Sequence, residues 1–184
     1  MYNSIDNKIG EVCVGCVTLS IVENTYLMSS FNASISALYK DLNGNYKIIV
    51  DNSYHSCPEY VKKFFIQHEV GHYVNGDLQC SNDEANARHY ARLQGELHVS
   101  ELLADEYAAS QLTKIELFKT ATYLNDTVIK VNKVINKMER GGELTAEQAS
   151  IERNSVREIK IRSNALSRLL GKRFIMDLFK KRGV

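Results

Sequence analysis

The sequence predicts an α+β, mainly α domain: a small N-terminal antiparallel sheet packed on a histidine-bearing helix, followed by a helical C-terminal half. Three observations point there. The first fifty residues carry the strand signals, capping signals recur from Ser56 onward, and one proline with ten glycines leaves few helix breakers. A chain of 184 residues with 44% hydrophobic content has enough apolar surface for one core, which excludes disordered and collagen-like classes.

Taken in order, Val12, Val14, Val17, Leu19, Ile21 and Val22 form a β-branched strand run. A helix-or-loop segment spans Ser34 to Lys40. The turn Asn43-Gly44-Asn45 then leads into a strand from Tyr46 to Asp51. Ser56-Cys57-Pro58-Glu59 reads as a capping box with proline in the first turn, opening a helix to about Asn75-Gly76. A second box, Ser81-Asn82-Asp83-Glu84, opens a stretch expected to reach Leu112, with Gly95 and Ser100 as points of interruption. Helices over Ile115 to Tyr123 and Thr127 to Arg140 follow, the latter closed by Gly141-Gly142. Thr145-Ala146-Glu147-Gln148 caps a last long helix ending near Gly171. The expected division is a core over residues 1–124 and a helical extension of the same domain over 125–184.

No segment reaches the roughly 18 apolar residues that cross a bilayer. The longest candidate, Val12 to Val22, is broken by Gly15, Thr18 and Ser20, and Asp6 and Glu11 before it spoil a secretion signal. A cytoplasmic location with reduced cysteines and no membrane partner is therefore expected. The net charge of +1 hides an asymmetry: residues 1–150 carry 13 Lys+Arg against 19 Asp+Glu, and residues 151–184 carry 10 against 3. That basic end reads as a helical face docked on the acidic first part, or as a site for nucleic acid or an acidic protein.

Chemistry concentrates in His68-Glu69-Val70-Gly71-His72, an HExxH motif inside the helix expected from Pro58. Helical spacing puts residues i and i+4 on one side, so both imidazoles can bind one tetrahedral zinc. Glu69, about 100° round the helix, is close enough to reach a water at the metal without being a ligand. A third ligand is expected 29 residues after His72, in Glu101-Leu102-Leu103-Ala104-Asp105-Glu106-Tyr107-Ala108-Ala109, where Glu101 and Asp105 are i and i+4 on one helical face. One of these carboxylates can reach the metal while the other orients a ligand histidine by accepting its free N–H. His98, one turn before Glu101, is either a hydrogen-bond donor to the developing oxyanion or an ordinary polar histidine. His55 and His89 have no assigned task.

The pairing of HEVGH with ELLADEYAA resembles the gluzincin metallopeptidases, and over roughly residues 46 to 112 it looks most like the ImmA/IrrE family. The HtpX/Ste24-like family is the second resemblance, disfavoured by the lack of a transmembrane segment. The resemblance implies a zincin-like fold, a zinc cofactor on His68, His72 and Glu101, Glu69 as base, and Asp105 as the carboxylate behind the ligands. It implies a metalloendopeptidase hydrolysing a protein substrate, with the strand over residues 46–51 aligning the substrate backbone by β-augmentation. The chain departs from the ImmA/IrrE pattern after Leu112, where Thr113-Lys114-Ile115 replaces a Met-Pro segment, and no N-terminal helix-turn-helix is evident. The competing function is a non-catalytic zincin-fold protein binding nucleic acid or an acidic protein through its basic C-terminal helices.

Cys13-Val14-Gly15-Cys16 is a CxxC that, with Cys57 and Cys80, formally completes a four-cysteine metal set. In a continuous strand Cys13 and Cys16 face opposite sides, so they share a metal only if Gly15 makes a turn. Small buried hydrophobes are the other reading.

Overall fold

The computed structural model describes residues 6–25, 35–77 and 96–181, with side chains at 175, 176 and 178–181 outside that description. The chain folds as α+β, mainly helical, with a four-stranded N-terminal sheet and helices behind it. Strands β1 (Asn7–Val14) and β2 (Val17–Glu23) form a hairpin whose turn places Gly15 at φ +59°, the conformation a glycine-led two-residue hairpin turn requires. Strand β3 (Ser36–Lys40) turns through Asp41–Asn45 into β4 (Tyr46–Val50). Asp41 Oδ1 accepts from the Asn43 and Asn45 N–H groups, both at 2.9 Å, so the Asn-Gly-Asn signal is a turn as expected.

Three features of the sheet correct the sequence reading. The segment ending at Lys40 is a strand rather than helix or loop, because pairing with β4 overrides the helix-forming Ala37-Leu38. The sheet is mixed rather than wholly antiparallel: its order is β1-β2-β4-β3, with β2 and β4 parallel. Since β3 takes the outer position, β4 lies inside the sheet and is no edge for a substrate strand. Its Ile48, Ile49 and Val50 are all fully buried, as a strand covered on both faces demands.

Helix α1 (Asn52–His55) is a single turn capped by Asp51, whose side chain accepts from the Ser53 and Tyr54 N–H groups. Helix α2 (Glu59–Asn75) starts two residues later than the capping-box reading implies. Ser56 closes α1, Pro58 is the N-cap, and only the Pro58 carbonyl serves α2, accepting from Val61 and Lys62. The far end is as expected: Gly76, at φ +72°, returns its N–H to the carbonyls of His72 and Tyr73. One side of α2 sets Ile66 and Val70 against Leu19, Ile21, Ile48 and Val50 of the sheet. Another sets Phe64 among Ala108, Leu117, Leu124 and Leu166. Covered on both sides, α2 is the central element, and His68 to His72 are buried without a break.

Helix α3 (Val99–Ser110) is capped by His98, so the expected helix to Leu112 does not run through residues 96–98, and its start at Ser81 and Gly95 lies outside the described residues. Helix α4 (Lys114–Arg140) opens on a capping box between Thr113 and Glu116. It is one helix instead of two, its buried stripe of Leu117, Ala121, Leu124, Val128 and Ile135 crossing residues 124–126 without a register change. The expected boundary between residues 124 and 125 therefore falls inside an unbroken helix. Helix α5 (Ala146–Lys181) returns antiparallel to α4 from the Thr145/Gln148 capping box and passes through Gly171. Among the described residues no helix is long and apolar enough to cross a membrane.

Part of the basic end is engaged in bonds within the chain. Arg153 pairs with Glu139, Lys160 donates to Asn125 Oδ1 at 2.6 Å, and Arg173 caps α3 through the carbonyls of Ala109 and Leu112. These bonds follow the docked-face reading for those residues. Arg157, Arg168 and Lys172 remain exposed, and Arg182 lies outside the described residues.

Candidate metal centre

His68 and His72 project one turn apart from the buried middle of α2, with Nε2 atoms 3.0 Å from each other. They meet α3 because the two helices touch at Gly71. A Cβ there would stand 2.8 Å from Ala104 Cα and 3.0 Å from the Ala104 carbonyl oxygen, so only glycine permits this approach. The contact brings Glu101 and Asp105, on either side of Ala104 along α3, over the imidazoles. Glu101 Oε2 is 3.2 Å from His68 Nε2, and Oε1 is 3.4 Å from His72 Nε2.

The convergence of these atoms could hold one metal ion. Bonds of about 2.1 Å to a tetrahedral ion put donor atoms ~3.4 Å apart; here one ligand atom from each of the three residues lies within 4.8 Å of the other two. His68, His72 and Glu101 are the group among the described residues whose ligand atoms converge in this way. Both Nδ1 atoms face carboxylates, His68 to Asp105 Oδ1 at 2.9 Å and His72 to Asp77 Oδ2 at 2.6 Å. A carboxylate accepting the Nδ1–H turns Nε2 towards Glu101, so each histidine has an orienting partner, and Arg162 Nη1 also lies 3.4 Å from His68 Nε2.

Arg162 enters from α5. Its Nη1 donates to Asp105 Oδ1 at 2.6 Å and its Nη2 to Glu101 Oε2 at 2.9 Å, with Nη1 also 3.1 Å from His68 Nδ1. Burial and the Arg162 charge each depress the His68 imidazole, but bonds to Asp105 and Glu101 outweigh them and carry it up to about 9. Burial also works against charge on His72, where the Glu101 bond prevails and raises it. For Glu101, burial opposes ionisation, and the bonds from His68 and His72 together with the Arg162 charge hold its carboxyl well below the usual range.

Glu69 is buried at 5% exposure beside the first histidine, with Ser36 Oγ donating to its Oε1 at 2.8 Å. Ile35, just before Ser36, sits at φ +123°, a region β-branched residues rarely adopt. The Ile35 carbonyl accepts from the Asp51 N–H at 3.2 Å, which ties this strained residue to the end of β4. His98 is placed differently from the cluster: its Nδ1 accepts from the Ser100 N–H at 3.3 Å as the cap of α3. Its ring is thus committed to the first turn of that helix. His55 pairs with Glu23 at the surface, and His89 lies outside the described residues.

His68, Glu69, His72, Glu101 and Asp105 are all brought together; Ser36, Asp77 and Arg162 escaped the sequence reading. Asp77 had a local signal, five residues after His72 and just beyond the helix-ending Gly76. Ser36 and Arg162 had none, since their contacts span 33 and 94 residues. As for the cysteines, Cys13 and Cys16 are exposed at the β1–β2 hairpin, Cys57 is buried, and Cys80 lies outside the described residues. No protein-family model matches the chain, and neither does any curated protein or solved structure.

Proposed function

We propose that the chain is a zinc-dependent metalloendopeptidase that hydrolyses peptide bonds of a protein substrate, a gluzincin most similar to the ImmA/IrrE family. The observation that carries this reading is the convergence of His68, His72 and Glu101, with Glu69 buried next to the first of them. When bound, zinc supplies Lewis acidity towards a water molecule and a substrate carbonyl. The protein residues do the rest. Asp105 and Asp77 hold the imidazoles with Nε2 directed inward. Ser36 holds Glu69 Oε1, and Oε2 would take the proton from the attacking water and pass it to the leaving amine.

Backbone recognition falls to β3, an edge strand of the sheet that itself carries Ser36. An extended substrate added to that edge would run past the base that must reach its scissile bond. The competing role of the basic end as a nucleic-acid or acidic-protein site is weakened by Arg153, Arg162 and Arg173, which spend their hydrogen bonds inside the chain.

Metal analysis of the purified protein is expected to give about one zinc per chain, and an unfolded protein substrate is expected to be cleaved. Glu69→Gln should lower cleavage by roughly 10²–10⁴-fold, the scale of general-base catalysis, with zinc still bound. A Glu69→Gln protein as active as the native one overturns the proposal.

A further inference from the structure

Arg162 is the one member of the cluster contributed by the C-terminal hairpin of α4 and α5. Its side chain is 11% exposed, and it is fixed in place by its own helix. The next residue, Ser163, donates to the Ala121 carbonyl at 2.9 Å, and Leu166, one turn on, is fully buried against Phe64 and Ala108. The guanidinium is thus held by packing as well as by its hydrogen bonds.

Its two nitrogens reach different carboxylates, Nη1 to Asp105 Oδ1 and Nη2 to Glu101 Oε2. Glu101 and Asp105 are one helical turn apart, and each lies against His68. A planar fork can hold both carboxylates in one fixed relation, whereas the point charge of a lysine reaches one at a time. By occupying Glu101 Oε2, the fork leaves Oε1 as the less engaged oxygen, on the His72 side. Charge balance points the same way. Glu69, Glu101, Asp105 and Asp77 surround two imidazoles, an acidic setting in which a divalent ion and one fixed cation are mutually compatible.

We propose that Arg162 is the positioning residue of the metal centre: it locks Glu101 and Asp105 into the geometry that binds zinc, and so couples metal affinity to docking of the C-terminal hairpin. The proposal rests on the metal-centre reading above and adds a determinant from outside both motifs.

The test compares native protein, Arg162→Gln and Arg162→Lys by zinc competition against a chromophoric chelator. Visible absorption of the cobalt-substituted forms and circular dichroism of the metal-free forms complete the comparison. Arg162→Gln is expected to bind zinc roughly 10–100-fold more weakly, as loss of a group orienting the ligands does. Arg162→Lys, which keeps the charge and loses the fork, is expected to fall about tenfold, on the same scale. Both should alter the cobalt spectrum while keeping the native dichroism. Zinc affinities within about twofold of native, or an Arg162→Lys protein equal to native, overturn the proposal. Tighter zinc binding by Arg162→Gln overturns it too, because Arg162 would then be competing with the metal. Should Arg162→Gln fail to fold, Arg162→Lys decides alone. A native chain that takes up no zinc fails the metal reading itself, which separates that failure from this one.

Discussion

At the scale of single residues, the candidate centre depends on an atom that is not there: the Cβ of residue 71. Gly71→Ala would press a methyl group against Ala104 backbone atoms at 2.8 and 3.0 Å, which rotamer changes cannot relieve. The helices must separate, at a cost of about 1–3 kcal/mol typical of overpacked cores. Glu101 and Asp105 flank Ala104, so the same movement draws both carboxylates away from the imidazoles. Gly71→Ala is expected to melt several degrees lower and to bind zinc more weakly, as read by thermal unfolding and chelator competition. Unchanged values in both would mean that the helix contact is not under strain. Motif spacing made His68, Glu69 and His72 legible, because residues one turn apart share a helical face whatever surrounds them. The role of Gly71 was hidden, since a glycine between two histidines looks the same whether or not a second helix lies against it.

At the scale of elements, local signals were sound where the structure is locally decided. The Asp41–Asn45 turn, the Gly76 stop and the Thr145 capping box concern neighbours within a few residues. Elements decided by distant partners were misread. β3 is a strand because β4 pairs with it, and α4 crosses Asn125 and Asp126 because Leu124 and Val128 pack on either side of them. This gives a direct test. Asp126 is exposed, so Asp126→Pro removes little packing but takes an N–H out of the helix and sets a ring against the preceding turn. In a continuous α4 the loss should be about 3 kcal/mol or more by denaturant unfolding. A break between two helices at that point would tolerate the proline at little cost. Asp126→Ala is the control and should stay within about 0.5 kcal/mol of native.

At the scale of the whole molecule, the charge asymmetry resolves in part into internal pairing, and stability is tied to the protonation of the centre. The His68 imidazole is raised from 6.5 to about 9 in the folded metal-free chain, so its contribution is fully present below pH 6.5 and is lost as pH rises through 9. His72, also raised, acts with the same sign. Glu101 is depressed and stays ionised across that window, so it adds no slope there. The metal-free protein should therefore lose melting temperature between pH 6.5 and 9, while zinc affinity, which requires neutral imidazoles, rises over the same interval. A metal-free melting temperature that is flat or rising across that interval would contradict this assignment.

The separation of Arg162 from His68 also has a consequence for biosynthesis. The two residues stand 94 positions apart. At ribosomal rates of 5–20 residues per second, the arginine emerges roughly 5–20 s after the histidine. For that interval the nascent chain holds both histidines and, for most of it, both carboxylates without the guanidinium that fixes them. The candidate centre is therefore made in an order that delays its own completion: the histidines are synthesised first, and the arginine that pairs with both carboxylates follows 94 positions after His68.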